Sequence, residues 1–277
     1  MKFWHHRYRL PREGALIKVD FGNAIGYADC HPWPELGDEP LEVQLQNISP
    51  RVIAMAKFDA EARKNKRSLF QNLTIPESHY FLANHEQDLN EIKQRGFQRV
   101  KVKRPSLELL RRLPVGMLWR LDFNQSLQAE EFEDFLEQAP LDKIEFIEDP
   151  TVYEPSLWKS WNRRVALACD RRAQEALSFP DSQKFLVVKP AVVDPKIFLG
   201  RNFLITSYLD HPVGQMGAAF AAAKYCPNKI CGLMSHTAYP PNLFSAQFIT
   251  EGARLKPPQG IGLGFDTLLQ ELSWTPC

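Results

Sequence analysis

The sequence lacks the long apolar segments that would place it in a membrane or direct its export. No stretch approaches the ~20 consecutive apolar residues that a membrane-spanning helix needs. The first residues, MKFWHHRYRLPREG, carry charges throughout, whereas a signal peptide has a continuous apolar stretch of ~7–15 residues. We therefore expect a protein of the cytoplasm that has no membrane partner.

The chain also has few cysteines and no excess of one charge. Its 277 residues include five cysteines, an odd number that suits reduced thiols, and the pair Cys226 and Cys231 has no second pair with which to complete a zinc site. Lysine and arginine together number 34, against 33 aspartates and glutamates, so no broad basic field recommends nucleic acid as a partner. With 44% apolar residues, the chain has enough to bury a sizeable core.

Two patterns of secondary structure follow one another along the chain. In the first 76 residues, ALIKVDF and GYADC predict a hairpin that turns at Gly22-Asn23, and helical patterns come after it. Strand-like runs then alternate with helical ones, which predicts parallel strands joined by right-handed crossovers. Eight such runs can be counted: YFLAN, QRVKVK, MLWRLDF, IEFIED, VALAC, FLVVK, FLITS and KICGLMS.

We therefore predict an α/β fold, a modified TIM (β/α) barrel with an α+β capping domain. The barrel would comprise residues 77–253 and carry the active site. The capping domain would comprise residues 1–76, with a C-terminal return at 254–277, where the alternation ends. The GIGLGF of this return is predicted to be a turn, because no βαβ unit follows it.

Five charged side chains each stand at the end of a strand-like run, in the order lysine, three acids, lysine. They are Lys103, Asp122, Glu148, Asp170 and Lys189. The intervals of 19, 26, 22 and 19 residues are close to what one strand, one helix and their loops occupy in an eight-unit barrel of ~250 residues. Because such barrels carry out their chemistry at the carboxyl ends of the strands, the pattern predicts an active site.

The types of these residues limit the chemistry. Three carboxylates at one rim raise one another's pKa unless a cation lies between them. A ligand set of oxygens alone favours a hard ion, which predicts magnesium, with manganese able to substitute. A lysine beside such an ion and a second ammonium has a lowered pKa, so it can serve as a general base near pH 7 and remove a proton next to a substrate carboxylate.

The same segments carry a resemblance to a known family. In order, KVK at 101–103, DFN at 122–124, EDP at 148–150, Asp170 and VVKP at 187–190 resemble the motifs of the enolase superfamily, in its muconate-lactonizing branch. Within that branch the chain is most similar to the divergent o-succinylbenzoate synthases. The likeness covers nearly all of the chain, since REGALIKVDF and GYADCHPWPELGDE resemble the strands and substrate loop of the cap, and GIGLGFD resembles the return.

This resemblance implies a role for each residue. Magnesium would be bound by Asp122, Glu148 and Asp170. The α-proton would be removed by Lys103, and the enediolate would be stabilised by Lys189. Charge, orientation or substrate contacts would come from Lys101, Asn124, Ser207 and Ser235. The substrate would be a small carboxylate. In the synthase reaction, a cyclohexadiene carboxylate loses water and becomes the aromatic succinylbenzoate of menaquinone biosynthesis.

Other functions remain open from the sequence. Family members commonly have an acid directly after the third ligand, where this chain has Arg171. A racemase of N-acylamino acids or a dipeptide epimerase of the same superfamily would use Lys103 and Lys189 as bases on opposite faces. An aldolase-type barrel would form a Schiff base on Lys189, and a degenerate barrel would only bind a ligand. Specificity is predicted to depend on the cap loop, His31–Asp38.

Overall fold

The computed structural model describes residues 1–10 and 12–277. An antiparallel sheet opens the chain, and its strands lie in the order β13-β1-β2-β3. Their bounds are β1 (Lys2–Arg9), β2 (Glu13–Asp20), β3 (Ile25–Cys30) and β13 (Thr275–Pro276). The turn between β2 and β3 contains Gly22 at a φ of +86°, so the predicted hairpin is confirmed.

Two helices cover this sheet, α1 (Leu41–Gln46) and α2 (Pro50–Lys64). Helix α2 begins at the cap residue Ser49, whose hydroxyl accepts a hydrogen bond from Val52 N at 3.3 Å. It packs closely on β3, because Gly26 has no side chain: a Cβ there would lie 1.9 Å from the carbonyl oxygen of Ala56. Sheet and helix enclose an apolar core of their own.

A second sheet of parallel strands in sequential order forms the barrel. Its strands are β4 (Tyr80–Leu82), β5 (Arg99–Lys103), β6 (Leu118–Asp122), β7 (Ile144–Glu148), β8 (Leu167–Cys169), β9 (Phe185–Val188) and β10 (Phe203–Ile205). The helices that follow or separate them are α3 (Leu89–Gln94), α4 (Leu107–Arg111), α5 (Ala129–Gln138), α6 (Pro155–Trp161), α7 (Ala173–Ala176) and α8 (Pro212–Tyr225). The predicted alternation of strands and helices is confirmed.

The prediction of an eighth full strand was wrong. Within the described residues this sheet has seven strands, and KICGLMS contributes only two isolated parallel bridges, from Cys231 to Ser78 and from Gly232 to Thr206. Glycine weakens a strand, and a 3-10 helix starts at Ser235, so pairing cannot extend. The two bridges link the sheet's first and last edges.

The rest of the chain leaves the barrel through a short hairpin and returns to the first sheet. Its elements are β11 (Ile249–Glu251), β12 (Arg254–Lys256) and α9 (Asp266–Glu271), followed by β13 beside β1. GIGLGF forms no helix or strand, as predicted. No helix in the described ranges is long and apolar enough to cross a membrane.

Candidate active site

The register of three neighbouring strands aligns the first three predicted site residues. Lys103 of β5 is paired with Asp122 of β6, and Asp122 is paired with Glu148 of β7. Val102, Leu121 and Ile147, one position earlier on each strand, are fully buried in the apolar core. Because successive side chains on a strand point to opposite faces, the three charged groups share the other face, which is the barrel interior.

The remaining two charged groups follow the next strands along the sheet. Asp170 comes directly after β8, Lys189 comes directly after β9, and the lysine ammonium donates to the carboxylate of Asp170. All five predicted residues line one cavity of about 350 Å³ at the carboxyl ends of the strands. The structure therefore brings the whole set together.

Lys101 occupies a place that the sequence did not indicate. Its ammonium lies 3.0 Å from Asp122 Oδ2 and 2.7 Å from Glu148 Oε2, so it bridges the two carboxylates. Burial alone would lower the pKa of Lys101, but attraction to Asp122, Glu148 and Asp170 outweighs it and raises that pKa. The lysine is a permanent cation between two acids.

The two acids that Lys101 bridges differ in how far the lysine charges offset their burial. Burial, assisted by repulsion from Asp122 and Asp170, raises the pKa of Glu148 to about 7 even though Lys101 opposes the shift. Burial also raises the pKa of Asp122, but the attraction of Lys101 and Lys103 exceeds this effect, so that the pKa of Asp122 is lowered. A further cation among these oxygens would be stabilised.

A divalent ion fits the donor set but not the present arrangement. Three carboxylates without histidine or cysteine are the donors that hard ions prefer. Within the described part of the chain, however, no three aspartate, glutamate, histidine or cysteine side chains are spaced to hold a metal ion as they stand. Because Lys101 lies between Asp122 and Glu148, and Lys189 holds Asp170, the ion would have to take the place of these ammonium groups.

Lys103 differs from the other two lysines. It makes no ion pair with any residue that the structure describes, although it lines the same cavity. Burial lowers its pKa, and the charges of Lys101 and Lys189 lower it further, against the attraction of nearby acids. Lys189 instead lies 5.6 Å from the centre of the Tyr208 ring, in addition to its contact with Asp170.

The polar residues predicted around the site also line the cavity. Asn124, at a φ of +51°, donates its backbone N–H to Asp122 Oδ1 at 3.1 Å. Ser207 Oγ lies 2.7 Å from Ser235 Oγ, and Ser235 donates to Gln215 Oε1 at 3.2 Å. The two serines thus form a pair at the side of the cavity next to α8.

A histidine and an arginine inside the barrel were missed. Arg120 Nη1 donates to His79 Nδ1 at 3.0 Å. Burial and the charges of Arg120 and Lys101 lower the pKa of His79, so the ring is neutral. A guanidinium only donates, hence the proton of His79 is on Nε2 and can be donated within the cavity that this residue lines. Arg120 could have been found, because it stands two positions before Asp122 and so shares its face.

A second missed group supports the third acid. Asp149 Oδ1 accepts a hydrogen bond from Asp170 N at 3.1 Å, and its Oδ2 accepts one from Arg171 N at 3.0 Å. Burial and repulsion from Asp170 and Glu148 raise the pKa of Asp149 to about 8. This carboxyl group fixes the turn that presents Asp170, and the side chain of Arg171 lines the same cavity.

The cap loop closes the cavity through one tyrosine. Trp33 Nε1 donates to the carbonyl oxygen of Tyr208 at 3.0 Å, and the Tyr208 hydroxyl donates to Asp38 Oδ2 at 3.0 Å. The same Asp38 oxygen accepts the backbone N–H of Trp33 at 2.9 Å. The loop that was predicted to set specificity is therefore attached to the barrel strand end that also provides Ser207.

Comparison with known proteins identifies relatives of this chain. Residues 5–62 match the family model of the O-succinylbenzoate synthase N-terminal domain. The chain is 32% identical to the o-succinylbenzoate synthase of Bdellovibrio bacteriovorus, over 95% of this chain and 91% of that protein. Similar solved structures include a dipeptide epimerase from Enterococcus faecalis (TM-score 0.78, 16% identity, 95% and 98% of the two chains) and a muconate lactonizing enzyme from Pseudomonas putida (TM-score 0.72, 14% identity, 98% and 99%). The predicted fold, a modified barrel with a cap, is confirmed.

Proposed function

The chain belongs to the o-succinylbenzoate synthase family of the enolase superfamily, whose enzymes are enolase-type lyases, and we propose that it is a magnesium-dependent dehydratase that forms o-succinylbenzoate in menaquinone biosynthesis. The observation that carries the proposal is the row of Lys103, Asp122 and Glu148 in register on three strands, with Asp170 and Lys189 on the same cavity. The reaction would take place in the cytoplasm.

In this proposal Lys103 is the base. Its amine takes the proton from the carbon next to the substrate carboxylate. The electron pair left behind expels the hydroxyl group from the adjacent carbon, and that group leaves as water with the proton that Lys103 has just accepted. The lowered pKa of Lys103 favours the neutral amine that this step requires. On another side of the cavity, Lys189 stabilises the negative charge that develops on the carboxylate oxygens.

The metal ligands in this proposal are Asp122, Glu148 and Asp170. A bound magnesium ion would supply the positive charge that the enediolate needs. Lys101 then has to withdraw from between Asp122 and Glu148, and Asp149 keeps Asp170 in position. Asn124, Ser207 and Ser235 hold the ligand row or the substrate in place.

One experiment separates the dehydratase from its nearest alternative. A racemase or epimerase of N-acylamino acids or dipeptides is the second candidate, because Lys103 and Lys189 line one cavity from β5 and β9, which are four strands apart in the sheet. Succinyl-cyclohexadiene carboxylate and a panel of acylated amino acids and dipeptides are incubated with the enzyme and magnesium in heavy water. We expect net dehydration of the first compound; deuterium exchange with inversion of the panel, without dehydration, would overturn the proposal.

A further inference from the structure

Four cationic side chains line the cavity at the carboxyl ends of the barrel strands. They are Lys101, Lys103, Arg171 and Lys189. Lys101 and Lys189 pair with the proposed metal ligands, whereas Lys103 and Arg171 form no ion pair with any residue that the structure describes. The proposed reaction uses Lys103 as the base. It assigns no role to Arg171, whose charge remains available for a ligand.

The backbone holds Arg171 beside the third proposed metal ligand. Asp149 Oδ2 accepts the N–H of Arg171 at 3.0 Å, and Asp149 Oδ1 accepts the N–H of Asp170 at 3.1 Å. One buried carboxyl group therefore fixes both residues, whose Cα atoms are about 3.8 Å apart as neighbours in the chain. The arginine side chain thus begins next to the place where the ion of the proposed reaction would bind.

The acids that the cap loop brings to this side of the cavity already have donors. Asp38 Oδ2 accepts the Tyr208 hydroxyl at 3.0 Å, and Glu35 pairs with Arg12. Burial and the charge of Asp38 raise the pKa of the Tyr208 hydroxyl, and the charge of Arg171 opposes that rise, as expected of a guanidinium on the Tyr208 side of the cavity. Arg171 therefore faces the space between the cap loop and the proposed metal ligands.

A ligand with two carboxylates matches this arrangement. The substrate and the product of the proposed reaction carry one carboxylate on the ring, next to the reacting carbon, and a second at the end of the succinyl chain. We propose that Arg171 binds the second carboxylate and so selects dicarboxylates, an inference that rests on the proposed function. A guanidinium donates two parallel N–H bonds to one carboxylate, and this charge-assisted geometry is not available with an uncharged amide.

Titration calorimetry of the whole protein with magnesium tests this contact without requiring turnover. The probes are o-succinylbenzoate and its derivative in which the succinyl carboxylate is a primary amide. We expect the parent to bind the dicarboxylate about tenfold more tightly than the amide, because the amide loses a hydrogen-bonded charge pair. Arg171→Met should bind both probes as weakly as the parent binds the amide. A parent without this preference, or an Arg171→Met protein that keeps it, would overturn the proposal.

The neighbouring Arg172 provides the matched control. It is exposed, pairs with Glu175 and lies outside the lining of the cavity, so Arg172→Met should keep the preference of the parent.

The dehydration assay separates binding from chemistry. Arg171→Met should raise KM about tenfold and leave kcat nearly unchanged, because the arginine contacts a part of the substrate away from the reacting carbons. A fall in kcat at constant KM would contradict the assignment. If the parent dehydrates the substrate but Arg171→Met keeps the carboxylate preference, this inference alone fails. If the preference depends on Arg171 but the parent does not dehydrate the substrate, the proposed reaction fails and the dicarboxylate site remains.

Discussion

Of the three lysines that line the cavity, Lys103 is the one that forms no ion pair within residues 1–10 and 12–277. If it is the base, replacing it with alanine removes a proton acceptor that is worth ~10²–10⁴-fold in rate. We expect Lys103→Ala to lose at least that much kcat in the dehydration assay. In the parent enzyme, kcat/KM should rise with pH in a range below 10.5, the ordinary pKa of lysine, because burial and two neighbouring ammonium groups lower the pKa of Lys103.

The control for this variant is Lys184→Ala, an exposed lysine just before β9 that lies outside the cavity. It should keep the activity of the parent. A Lys103→Ala enzyme that retains more than a tenth of the parent rate would show that another group removes the proton.

For Lys101 we predict an effect on the free energy of unfolding that depends on magnesium. Its replacement by alanine leaves Asp122 and Glu148 without their cation. Breaking a buried ion pair in this way costs ~3–5 kcal/mol. We expect Lys101→Ala to lose an amount of this order in urea unfolding without magnesium, and to regain much of it when magnesium is added, because the ion neutralises the same two acids.

Lys103→Ala provides the comparison, since that lysine makes no ion pair within the described residues. It should show a smaller loss without magnesium. If the deficit of Lys101→Ala is the same with and without the ion, the metal does not bind where Lys101 now lies.

The sequence predicted that five charged residues lie at one rim, and the structure places all five on one cavity, but the sequence did not predict how they pair. Strand alternation and spacing were enough to place Lys103, Asp122 and Glu148 on one face. They could not show that Lys101 bridges two acids, because that contact depends on the register of three strands. The sequence also could not predict the proton on His79 Nε2, because that assignment follows from a single contact between His79 and Arg120.

At the scale of elements, the sequence predicted the seven strands β4 to β10 correctly. It failed at the eighth run, where, among the residues that the structure describes, the apolar stretch pairs through Cys231 and Gly232 alone. Residue composition does not report that a 3-10 helix starts three positions later and ends the pairing. The attachment of the cap loop through Tyr208 joins elements 170 residues apart and has no local signal.

The hydrogen bond between Tyr208 and Asp38, which attaches the cap loop to the barrel, can be tested by mutation. Tyr208→Phe removes the hydroxyl that binds Asp38 but keeps the ring beside Lys189 and the carbonyl oxygen that accepts from Trp33. One such hydrogen bond is worth ~1 kcal/mol, or roughly a fivefold change. We expect KM for the dehydration substrate to rise by about that factor, with kcat nearly unchanged. Tyr225→Phe, remote from the loop, should leave both constants unaltered; an unchanged KM in Tyr208→Phe would mean that the loop does not need this contact.

At the scale of the whole molecule, buried acids make stability depend on pH. The folded protein holds the pKa of Glu148 and Asp210 at about 7 and that of Asp149 at about 8, far above their values of 4.5, 3.8 and 3.8 in an unfolded chain. Each therefore stabilises the fold at low pH, and this contribution is lost as the pH rises through the folded pKa. His31 and His236, with pKa values of about 4, act in the opposite sense, but their contribution is complete above 6.5.

Between pH 6.5 and 8.5, then, these two histidines have no further effect, while the stabilising contribution of the three acids is lost. We expect the free energy of unfolding of the magnesium-free protein to decrease across this range, as measured by urea unfolding at several pH values. Asp210→Asn removes one of the buried acids whose pKa is raised, so its decrease should be shallower. Stability that is constant or increasing over this range would contradict the raised pKa values of these buried carboxyls.

The division into a cap of residues 1–76 and 254–277 and a barrel of residues 77–253 remains a proposal, and Asp59 is the residue through which it can be tested. This side chain is fully buried in α2, and its oxygens accept from Tyr27 N at 2.9 Å, Arg63 Nε at 2.6 Å and Leu263 N at 2.6 Å. It thus joins the first sheet to the C-terminal return. Asp59→Ala leaves Arg63 Nε and two backbone donors without their acceptor, while Asp266 still pairs with the guanidinium. Because each buried donor left unpaired costs ~1–3 kcal/mol, we expect a loss of several kcal/mol in urea unfolding.

The place of the first proteolytic cleavage distinguishes a cap that unfolds separately from a cap and barrel that unfold as one cooperative unit. If the cap is a unit, brief proteolysis of Asp59→Ala should cut first within residues 1–76 and 254–277, because the return is released while the strands β4 to β10 keep their pairing. The matched control is Glu61→Ala, on the exposed side of the same helix, which should resist cleavage like the parent. Cleavage that begins inside 77–253 would show that cap and barrel lose their structure together. In the described part of the chain the barrel is closed by two bridges, at Cys231 and Gly232, so it would then depend on the cap for its stability.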